Sequence, residues 1–297
     1  MSTSTPELRI GITLGDCAGI GPEIVELALK SGNVSDSADY VVLGRQPNCK
    51  PGEPTPETAR AAAAALEEAV TLARRGDVAA IVTGPVHKAR MYEVGFRFPG
   101  QTEFFAERCG VKNFAMCLTG GKLTVALVTA HLPLRRVPRA LKQSEIVRVG
   151  YLLEEFLRAR GKNAVRIAIA GLNPHAGESG KLGREEIEII APAIEHLNVT
   201  RRPSCVFVGP VSPDTVFHRA VEGEFDAVLC MYHDQGLIPL KLHAFHSGVN
   251  VTLGLPFPRT SADHGTAFEI AGKRIARADS MIAAINLAVE LAHKRSA

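Results

Sequence analysis

Polar side chains able to do chemistry are concentrated in the segment 226–272, where they follow two apolar runs. The first run, 227–231, leads into Tyr-His-Asp-Gln-Gly, and the second, 249–253, leads through glycine and proline to Arg-Thr-Ser at 259–261. Ligands of open α/β sheets bind beyond the carboxyl ends of strands, so imidazole, carboxylate and guanidinium groups placed there indicate a site. The alternative is that these polar residues only mark surface loops.

Three histidines occupy equivalent positions, each immediately or shortly after an apolar run: His131, His175 and His233. A single histidine after a strand is more often a structural hydrogen-bonding group than a ligand. Three such residues among the ten histidines of the chain could converge at one edge of a sheet and bind a divalent metal ion. This trio suits Zn²⁺ or another transition ion with positions left open for substrate oxygens.

The elements that must position these residues are predicted from apolar runs that alternate with helix-forming segments. Besides the apolar runs above and the one before Gly15, strands are predicted at 40–43, 78–82, 123–130, 165–170 and 206–208. Helices are predicted at 22–30, 57–75, 144–160, 185–196 and 280–294. This alternation predicts an α/β fold with a mainly parallel sheet flanked by helices.

A glycine-rich turn, GDCAGIGPE at 15–23, connects the first strand to the first helix. Its GxxxGxG spacing is neither the dinucleotide fingerprint nor a P-loop. Backbone N–H groups at the start of the helix could bind an anion, but a purely structural turn is an equal alternative. A similar turn at 83–88 carries His87 and Lys88, which favours a cleft that several turns share.

Composition excludes several classes of protein. The 297 residues are 46% hydrophobic and 22% charged, with a net charge of +3, which is too small to indicate nucleic-acid binding. No apolar run is long enough for a membrane span, and residues 1–7 do not resemble a signal peptide. The six cysteines form no CxxC pair, so we expect reduced thiols in a cytoplasmic protein.

Motifs between Ile10 and Ala288 resemble those of the 4-hydroxythreonine-4-phosphate dehydrogenases of vitamin B6 biosynthesis, including relatives that act on phosphorylated threonate or erythronate. The matching stretches are GDCAGIGPEI, TGPVHK, GQTEF, TAHLPL, GLNPHAGESG, PDT, YHDQGLIPLK and VNVTLGLPFPRTSADHGTA. The DHGTA part is also similar to the cofactor loop of isocitrate and isopropylmalate dehydrogenases, which hold NAD(P) without a GxGxxG motif.

The resemblance implies a two-lobed α/β/α subunit with a mostly parallel sheet, similar to isocitrate and isopropylmalate dehydrogenases. We expect residues 1–100 with 250–297 to form a lobe that carries the cofactor loop. Residues 101–249 are then the lobe with the metal ligands and the dimer contacts. The resemblance also implies a homodimer whose active site is shared across the interface, with one metal-binding histidine supplied by the neighbouring subunit.

Roles of individual residues follow from the same resemblance. The three histidines match the ligands of a divalent ion, Zn²⁺ or alternatively Mg²⁺, Co²⁺ or Mn²⁺. Lys241, Asn250 and Arg259 match positions that bind the substrate, which suits a ligand with a phosphate and a carboxylate. Thr102 matches a further substrate contact, and Gln101 occupies another substrate-binding position. We expect NAD or NADP to contact Gly254, Leu255, Pro256, Asp263, His264, Gly265, Thr266 and Ala267. The group that takes the substrate's hydroxyl proton is Lys241, Asp214 or a water on the metal.

The implied reaction is oxidation of the 3-hydroxyl of 4-phosphohydroxythreonine by hydride transfer to the nicotinamide, followed by decarboxylation of the β-keto acid. A bound metal ion would ease loss of the hydroxyl proton and stabilise the charge that develops as CO₂ leaves.

Two residues depart from the family's pattern: Gln101 stands where histidine is usual, and Cys17 where proline is usual. The segment between Leu43 and Thr58 is also short for the family. Glutamine cannot exchange a proton near neutral pH, which leaves open a dehydrogenase of 4-phosphorylated threonate or erythronate. Alternatives of another class are a phosphate acyltransferase-like enzyme, against which the histidines and the DHGTA loop argue, and a non-catalytic ligand-binding relative, which only Gln101 supports.

Overall fold

The computed structural model describes residues 8–46, 48–200 and 202–296. Strands β1 to β10 are Arg9–Thr13, Asp39–Leu43, Ala80–Thr83, Ala115–Gly120, Leu123–Leu127, Val165–Ala170, Cys205–Val211, Ala227–Cys230, Val249–Leu253 and Arg259–Ala262. Helices α1 to α10 are Gly21–Lys30, Pro56–Arg75, Lys88–Glu93, Gln101–Arg108, Val137–Ala140, Gln143–Ala159, Ala191–Thr200, Val216–Val221, His233–Ala244 and Asp279–Ser296. Over these ranges, none of the helices combines the length and the apolar character that a membrane crossing needs.

The chain divides into two compact units, Met1–Lys112 with Val249–Ala297 (unit one) and Asn113–Gly248 (unit two). In unit one the strand order is β2-β1-β3-β10-β9, and only the β10–β9 pair is antiparallel. In unit two the order is β4-β5-β8-β6-β7, and only the β4–β5 pair is antiparallel. The predicted α/β fold with mostly parallel strand pairing is confirmed.

Residues 101–112, which the sequence-based division placed with the other lobe, belong to unit one. The ring of Phe104 on α4 lies 5.2 Å from that of Phe96 and 5.3 Å from that of Phe98. Arg108, at the end of the same helix, forms an ion pair of 2.7 Å with Glu67 on α2. These contacts fix α4 within unit one.

The central strands of both units are apolar and buried. This holds for β1 and β3 in unit one and for β5 and β8 in unit two. Strands that are covered on both faces need apolar side chains at nearly every position, so they appear in the sequence as continuous apolar runs. Their positions were therefore predictable within a few residues.

Helix α2 shows how local sequence sets both ends of an element. Thr55 precedes the helix, accepts a hydrogen bond from Thr58 N–H at 3.3 Å, and donates its own N–H to Thr58 Oγ1 at 3.2 Å. Pro56 occupies the first turn, and Gly76 ends the helix with a left-handed φ of 81°. The alanines between these ends form a buried face.

Two predicted loops belong instead to regular elements. Arg259 lies on β10, a strand between β3 and β9, and not in a connection after a strand. His233 and the polar residues after it begin α9, where Asp234 in the first turn suits the positive end of the helix dipole. Strand β4 was not predicted.

One pair of cysteines also departs from expectation. Cys17 and Cys49 form a disulfide with a Cα–Cα distance of 6.2 Å, so the prediction of reduced thiols is wrong for these two residues. The free cysteines are Cys109, Cys117, Cys205 and Cys230.

Candidate functional site

Arg259 is almost completely buried on β10, with 2% of its surface exposed. Its Nη2 donates to Thr83 Oγ1 and to Gln101 Oε1, the latter at 2.8 Å, and its Nη1 donates to Thr252 Oγ1 at 3.2 Å. The guanidinium carbon lies 5.4 Å from the centre of the Phe105 ring. All three acceptors are neutral oxygens, so these hydrogen bonds orient the guanidinium without cancelling its charge.

One polar atom of this cation and one on the paired strand β9 lack a hydrogen-bond partner among the described residues. Arg259 Nε and Asn250 Oδ1 are buried and have no hydrogen-bond partner among the described residues. Buried polar atoms in proteins are nearly always paired, so an open donor and an open acceptor indicate a bound ligand or water. Asn250 lies two residues before Thr252 and therefore on the same face of β9.

The four unit-one residues predicted to bind substrate thus come together on three elements. Gln101 and Thr102 open α4, and Thr102 Oγ1 lies 3.3 Å from Thr252 Oγ1. Gln101 also donates its amide N–H to Gly84 O at 3.2 Å while it accepts from Arg259. We call Gln101, Thr102, Asn250 and Arg259, with Thr83 and Thr252, the arginine group. The two threonines that orient the guanidinium were missed as site residues, although both lie in the recognised motifs TGPVHK and VNVTLG.

The charge of Arg259 is held at an energetic cost. Burial lowers the pKa of its guanidinium to about 9, and the nearby Glu103 carboxylate opposes this shift. A cation that has lost its water gains more from a bound anion than an exposed cation does. The arginine group is therefore suited to bind a phosphate or a carboxylate.

The turns that follow β1 and β3 pack directly against each other in unit one. Asp16 N–H donates to Pro85 O at 3.0 Å. Gly15 has a φ of 71°, and a Cβ there would lie 2.1 Å from Pro85 O. A Cβ at Gly21 would lie 1.9 Å from Leu14 O. Close packing of backbone explains these glycines, so they do not by themselves indicate an anion-binding loop.

The segment 263–267, predicted to contact the cofactor, is anchored from two sides within unit one. Ile20 N–H donates to Thr266 O at 2.9 Å, and Asp263 N–H donates to Ser280 Oγ at 3.0 Å. His264 Nδ1 lies 3.3 Å from Gly265 O. The other predicted cofactor residues, Gly254, Leu255 and Pro256, form the connection between β9 and β10.

His131 and His233 come together in unit two, with ring centres 5.6 Å apart. They follow β5 and β8, which are parallel neighbours, and Thr129 N–H donates to Met231 O at 3.2 Å just beyond these strands. His233 Nδ1 lies 2.6 Å from Asp234 Oδ1. Such a carboxylate fixes the orientation and tautomer of an imidazole and leaves Nε2 as the metal-binding atom.

His175 lies in a loop of unusual backbone conformation. Residues 175–179 all have left-handed angles, with φ between 44° and 81°, and only Gly177 among them is a glycine. His131 has a left-handed φ of 52° as well. This conformation costs roughly 1–2 kcal/mol for each residue that carries a Cβ. Strain of this kind persists where surrounding contacts enforce it, and it is concentrated at functional sites.

A buried carboxylate, that of Glu186, braces the loop of His175. Its Oε1 accepts from Leu172 N–H and Asn173 N–H, both at 2.7 Å, and its Oε2 accepts from Asn173 Nδ2 at 2.9 Å. Gly177 has a φ of 81°, and a Cβ there would lie 2.7 Å from Glu186 Oε2 and 3.0 Å from Gly183 O, so glycine is favoured at this position. Glu186 is not among the predicted site residues. The available signal was an acid at a core-facing position of an otherwise apolar helical stripe, formed by Ile190, Ala193, Ile194 and Leu197.

Asp214 and Lys241, the candidates for proton transfer, also lie in unit two. Asp214 is exposed, and the Ser212 hydroxyl that donates to it lowers the pKa of its carboxyl, with a further contribution from His175. Lys241 is half-buried on α9, two turns after His233. Asp214 is therefore ionised at neutral pH and is a weak base there.

The donor chemistry of His131 and His233 fits a divalent transition ion, because two imidazoles at this spacing can share one metal. Within the residues that the structure describes, no set of three histidine, cysteine, aspartate or glutamate side chains is arranged to hold an ion. A single chain thus brings His131 and His233 together, and His175 lies near Asp214.

Residues 21–288 match the family model described as "Pyridoxal phosphate biosynthetic protein PdxA". The chain belongs to the PdxA family. A 4-hydroxythreonine-4-phosphate dehydrogenase from Desulfosudis oleivorans is 43% identical, with 97% of each chain covered. A D-threonate 4-phosphate dehydrogenase from Pectobacterium atrosepticum is 38% identical over 95% of this chain and 99% of its own. The crystal structure of 4-hydroxythreonine-4-phosphate dehydrogenase from Klebsiella pneumoniae is similar with a TM-score of 0.80 and 38% identity, covering 96% of this chain and 99% of that one.

Membership of the PdxA family confirms the resemblance found in the motifs and makes the protein an oxidoreductase of the dehydrogenase class. A more distant structure, isocitrate dehydrogenase from Methylococcus capsulatus, has a TM-score of 0.52 at 17% identity and covers 96% of this chain and 85% of its own. At that identity the likeness concerns the fold alone, and the predicted isocitrate dehydrogenase-like fold is confirmed.

Proposed function

We propose that this protein oxidises the 3-hydroxyl of 4-phosphohydroxythreonine with NAD or NADP, and that the resulting β-keto acid loses CO₂. This activity would serve vitamin B6 biosynthesis, in line with the family description and the names of the relatives. The observation that carries the proposal is the buried Arg259 cation, whose Nε has no hydrogen-bond partner among the described residues, together with the equally unpartnered Oδ1 of Asn250 on the paired strand β9.

The arginine group is assigned to the phosphate. Arg259 offers Nε to a phosphate oxygen while its Nη atoms remain fixed by neutral partners. Asn250 Oδ1 can accept from a substrate hydroxyl or ammonium, and Thr102 adds a hydroxyl. Because the cation is desolvated before the substrate arrives, its attraction for a dianion is stronger than that of a surface arginine.

The predicted cofactor residues, 254–256 and 263–267, are assigned to the nicotinamide dinucleotide, which when bound would supply the acceptor for the hydride of substrate C3. The hydroxyl proton must leave at the same time. The candidate acceptors are Lys241 in its neutral amine form, Asp214 and a water on the metal, and the lowered pKa of Asp214 makes that carboxylate a weak base. Asp214 then has an electrostatic role next to His175.

His131, His175 and His233 are assigned to a divalent metal ion, with Zn²⁺ favoured and one histidine supplied by the neighbouring subunit. When bound, the ion supplies Lewis-acid polarisation of the substrate's oxygens. Residues of the chain orient the histidines before the metal binds. Asp234 orients the His233 imidazole, and the left-handed backbone sets the positions of His131 and His175.

A homodimer is proposed from an exposed apolar stripe on α9. Ile238, Leu242 and Phe245 are 66%, 89% and 68% exposed and lie on one face of the helix. Exposed large apolar side chains that adjoin one another indicate a protein interface, and a second copy of this chain is the proposed occupant. Leu242→Glu should shift the mass in solution from dimer to monomer, whereas Val199→Glu, at an 84% exposed isolated valine, should not.

A dehydrogenase of 4-phosphorylated threonate or erythronate is the second candidate. It is favoured by Gln101, a neutral side chain in the arginine group at a position where the family usually has histidine. The relative from Pectobacterium atrosepticum is named for such a substrate.

One assay separates the candidates. Purified protein is mixed with NAD or NADP and with 4-phosphohydroxythreonine, 4-phosphothreonate, 4-phosphoerythronate and the unphosphorylated form of each, and formation of the reduced dinucleotide is followed. We expect the highest kcat/KM with 4-phosphohydroxythreonine and a loss of about 10- to 100-fold or more without the phosphate. A higher kcat/KM with phosphothreonate or phosphoerythronate would establish the second candidate, and no turnover with any compound would leave only a binding protein.

A further inference from the structure

The disulfide between Cys17 and Cys49 lies beside the segment assigned to the cofactor. Cys17 belongs to the turn after β1, and Cys49 to the connection between β2 and α2. In the same turn, Ala18 O accepts from Gly52 N–H at 2.7 Å, and Ile20 N–H donates to Thr266 O at 2.9 Å. The turn thus contacts the segment of Cys49 on one side and the proposed cofactor segment on the other.

The segment of Cys49 also touches the residues that follow the cofactor segment. A Cβ at Gly52 would lie 3.4 Å from Phe268 O, and a Cβ at Gly272 would lie 2.8 Å from Pro51 Cβ. Three stretches of unit one, 16–20, 49–53 and 263–272, are therefore packed together, and the disulfide is the covalent link between the first two.

The surroundings accommodate the reduced pair as well. Cys17 Sγ lies 3.2 Å from Gln46 Oε1, a distance at which a Cys17 thiol donates a hydrogen bond to the amide oxygen. Cys17 is 6% exposed, whereas Cys49 is partly accessible to solvent. The Cys49 thiol can therefore be reached from solvent, whereas the Cys17 thiol is buried and can donate a hydrogen bond to Gln46.

We propose that Cys17 and Cys49 form a reversible thiol–disulfide exchange site for small disulfides of the glutathione class, and that the bonded state favours binding of the nicotinamide dinucleotide. The second part rests on the proposed function. The Cys49 thiolate attacks the small disulfide, forms a mixed disulfide and releases one thiolate. The Cys17 thiolate then attacks the Cys49 sulfur, closes the internal bond and releases the second thiolate. Two electrons pass from the protein to the small disulfide, and the two cysteine protons go to solvent or to the released thiolates.

The bonded state should strengthen dinucleotide binding because it removes freedom from the stretches that support 263–267. In the reduced state the connection between β2 and α2 is attached to the turn only by non-covalent contacts, and binding must then order it. The bond closes a loop with a sequence separation of 32 residues, so its loss should also lower the Tm by roughly 5–10 °C.

The exchange itself is tested by equilibrating the folded protein with mixtures of reduced and oxidised glutathione, trapping free thiols with an alkylating reagent, and locating them by mass spectrometry. We expect Cys17 and Cys49 to change together and reversibly as the glutathione ratio changes. Cys17→Ser should retain glutathione on Cys49, because no second thiol displaces it, whereas Cys49→Ser should take up none on Cys17. Cys109→Ser, at a free cysteine elsewhere in unit one, should behave like the wild type.

Three results would overturn the exchange site: a bond that excess reductant does not open in the folded protein, a pair that stays reduced in oxidised glutathione, or glutathione that accumulates on both cysteines. The link to cofactor binding is tested separately, by titrating the oxidised and the reduced protein with NAD and with NADP. We expect the Kd to be about 3- to 10-fold higher after reduction. The Cys17→Ser/Cys49→Ser variant should have the Kd of the reduced protein at every glutathione ratio. Equal Kd values in both states would overturn the control of binding, whereas absence of dinucleotide binding in both states would instead refute the proposed function.

Discussion

The arginine group of unit one and the histidine-bearing loops of unit two hold their polar residues in opposite ways. Arg259 and Asn250 lie on paired strands, and the guanidinium is buried and oriented by three hydrogen bonds. His131 and His175 are exposed and lie on left-handed backbone outside any strand. In the arginine group the buried guanidinium charge is energetically costly, whereas the backbone is regular strand. In the histidine-bearing loops the side chains are exposed, and the left-handed backbone is the energetically costly feature.

This difference predicts which substitutions should impair the function of each group. Changing the arginine group alters the charge and hydrogen bonds offered to a ligand, while the strands beneath remain paired. Changing the contacts that brace the loop of His175 alters the position of the imidazole, even at a distance from any ligand.

Removal of the metal or of one imidazole should have the largest effect. Exhaustive chelation, or His175→Ala, should lower kcat/KM about a thousandfold, since Lewis-acid stabilisation contributes several kcal/mol to such reactions. The variant should also bind well under one metal ion per active site, as measured by elemental analysis. His196→Ala, at an exposed histidine on α7, is the control. Full activity in metal-free protein would exclude the three-histidine site.

How far the sequence predicts each group follows from the same contrast. The strands 165–170 and 249–253 were predicted to the residue, because buried strands need apolar side chains. Strand β10 was missed because it reads Arg-Thr-Ser-Ala. Its polar side chains serve the site and the adjoining helix, where Thr260 Oγ1 donates to Ala284 O at 2.8 Å. Because these side chains are polar for functional reasons, β10 lacks the apolar pattern by which a strand is recognised.

The loop of His175 was unpredictable for a different reason. Left-handed backbone is normally inferred from glycine or asparagine, yet His175, Ala176, Glu178 and Ser179 all adopt it. The start of this loop is held by Glu186, a tertiary contact from the next helical segment, through the N–H groups of Leu172 and Asn173. The position of the histidine after a strand was visible in the sequence, but the conformation that presents it was not.

Arg259→Lys should have the second largest effect. A lysine keeps the charge but cannot bond three fixed acceptors and still offer a donor to the phosphate. We expect KM for the phosphorylated substrate to rise about 10- to 100-fold, equivalent to losing one charged hydrogen bond. With the unphosphorylated substrate the change should be much smaller. Arg277→Lys, at an exposed ion pair in unit one, is the control, and equal losses on both substrates would remove Arg259 from phosphate binding.

The lowered pKa of Arg259 predicts that, as pH rises above about 9, substrate binding weakens while the contribution of Arg259 to the free energy of unfolding increases. Above pH about 9 the guanidinium loses its proton, so KM for the phosphorylated substrate should rise up to about tenfold per pH unit. The unfolded chain keeps that proton up to a pKa of 12.5, so it binds more protons than the folded chain in this range. The contribution of Arg259 to the free energy of unfolding therefore increases as pH rises above about 9. A KM that stays flat to pH 10 and beyond would contradict this assignment.

Glu186→Gln tests the bracing of the loop. The amide keeps one acceptor for the N–H groups of Leu172 and Asn173, but it turns a donor toward Asn173 Nδ2, which is itself a donor. We expect about tenfold weaker binding of Zn²⁺ or Co²⁺, since residues that orient metal ligands have effects of this size. Glu185→Gln loses only a bond to the same asparagine from a more exposed carboxylate and is the matched control. Unchanged metal affinity in Glu186→Gln would mean that the loop keeps its conformation without this carboxylate.

Gln101 is the residue of the arginine group that most clearly departs from the family, and the structure gives it two fixed partners. Its Oε1 accepts from Arg259 and its Nε2 donates to Gly84 O, which leaves one amide hydrogen for a substrate. Because an amide cannot exchange a proton near neutral pH, Gln101 is better suited to distinguishing the substituent at substrate C2 than to proton transfer. The contacts add a third role, that of holding Arg259 in position.

Gln101→His should therefore have the smallest effect of the five, and its pH dependence should reveal the role. A neutral imidazole can accept from Arg259, but an imidazolium beside the guanidinium repels it, so KM for the phosphorylated substrate should rise roughly 3- to 10-fold as pH falls below about 6.5. The wild type should not show this rise in KM at low pH. Gln143→His, at an exposed position on α6, controls for an added histidine as such. If Gln101 also distinguishes the C2 substituent, the kcat/KM ratio should move toward 4-phosphohydroxythreonine and away from 4-phosphothreonate at every pH. A variant with the wild-type ratio and no such rise would show that Gln101 neither positions Arg259 nor contacts the substrate.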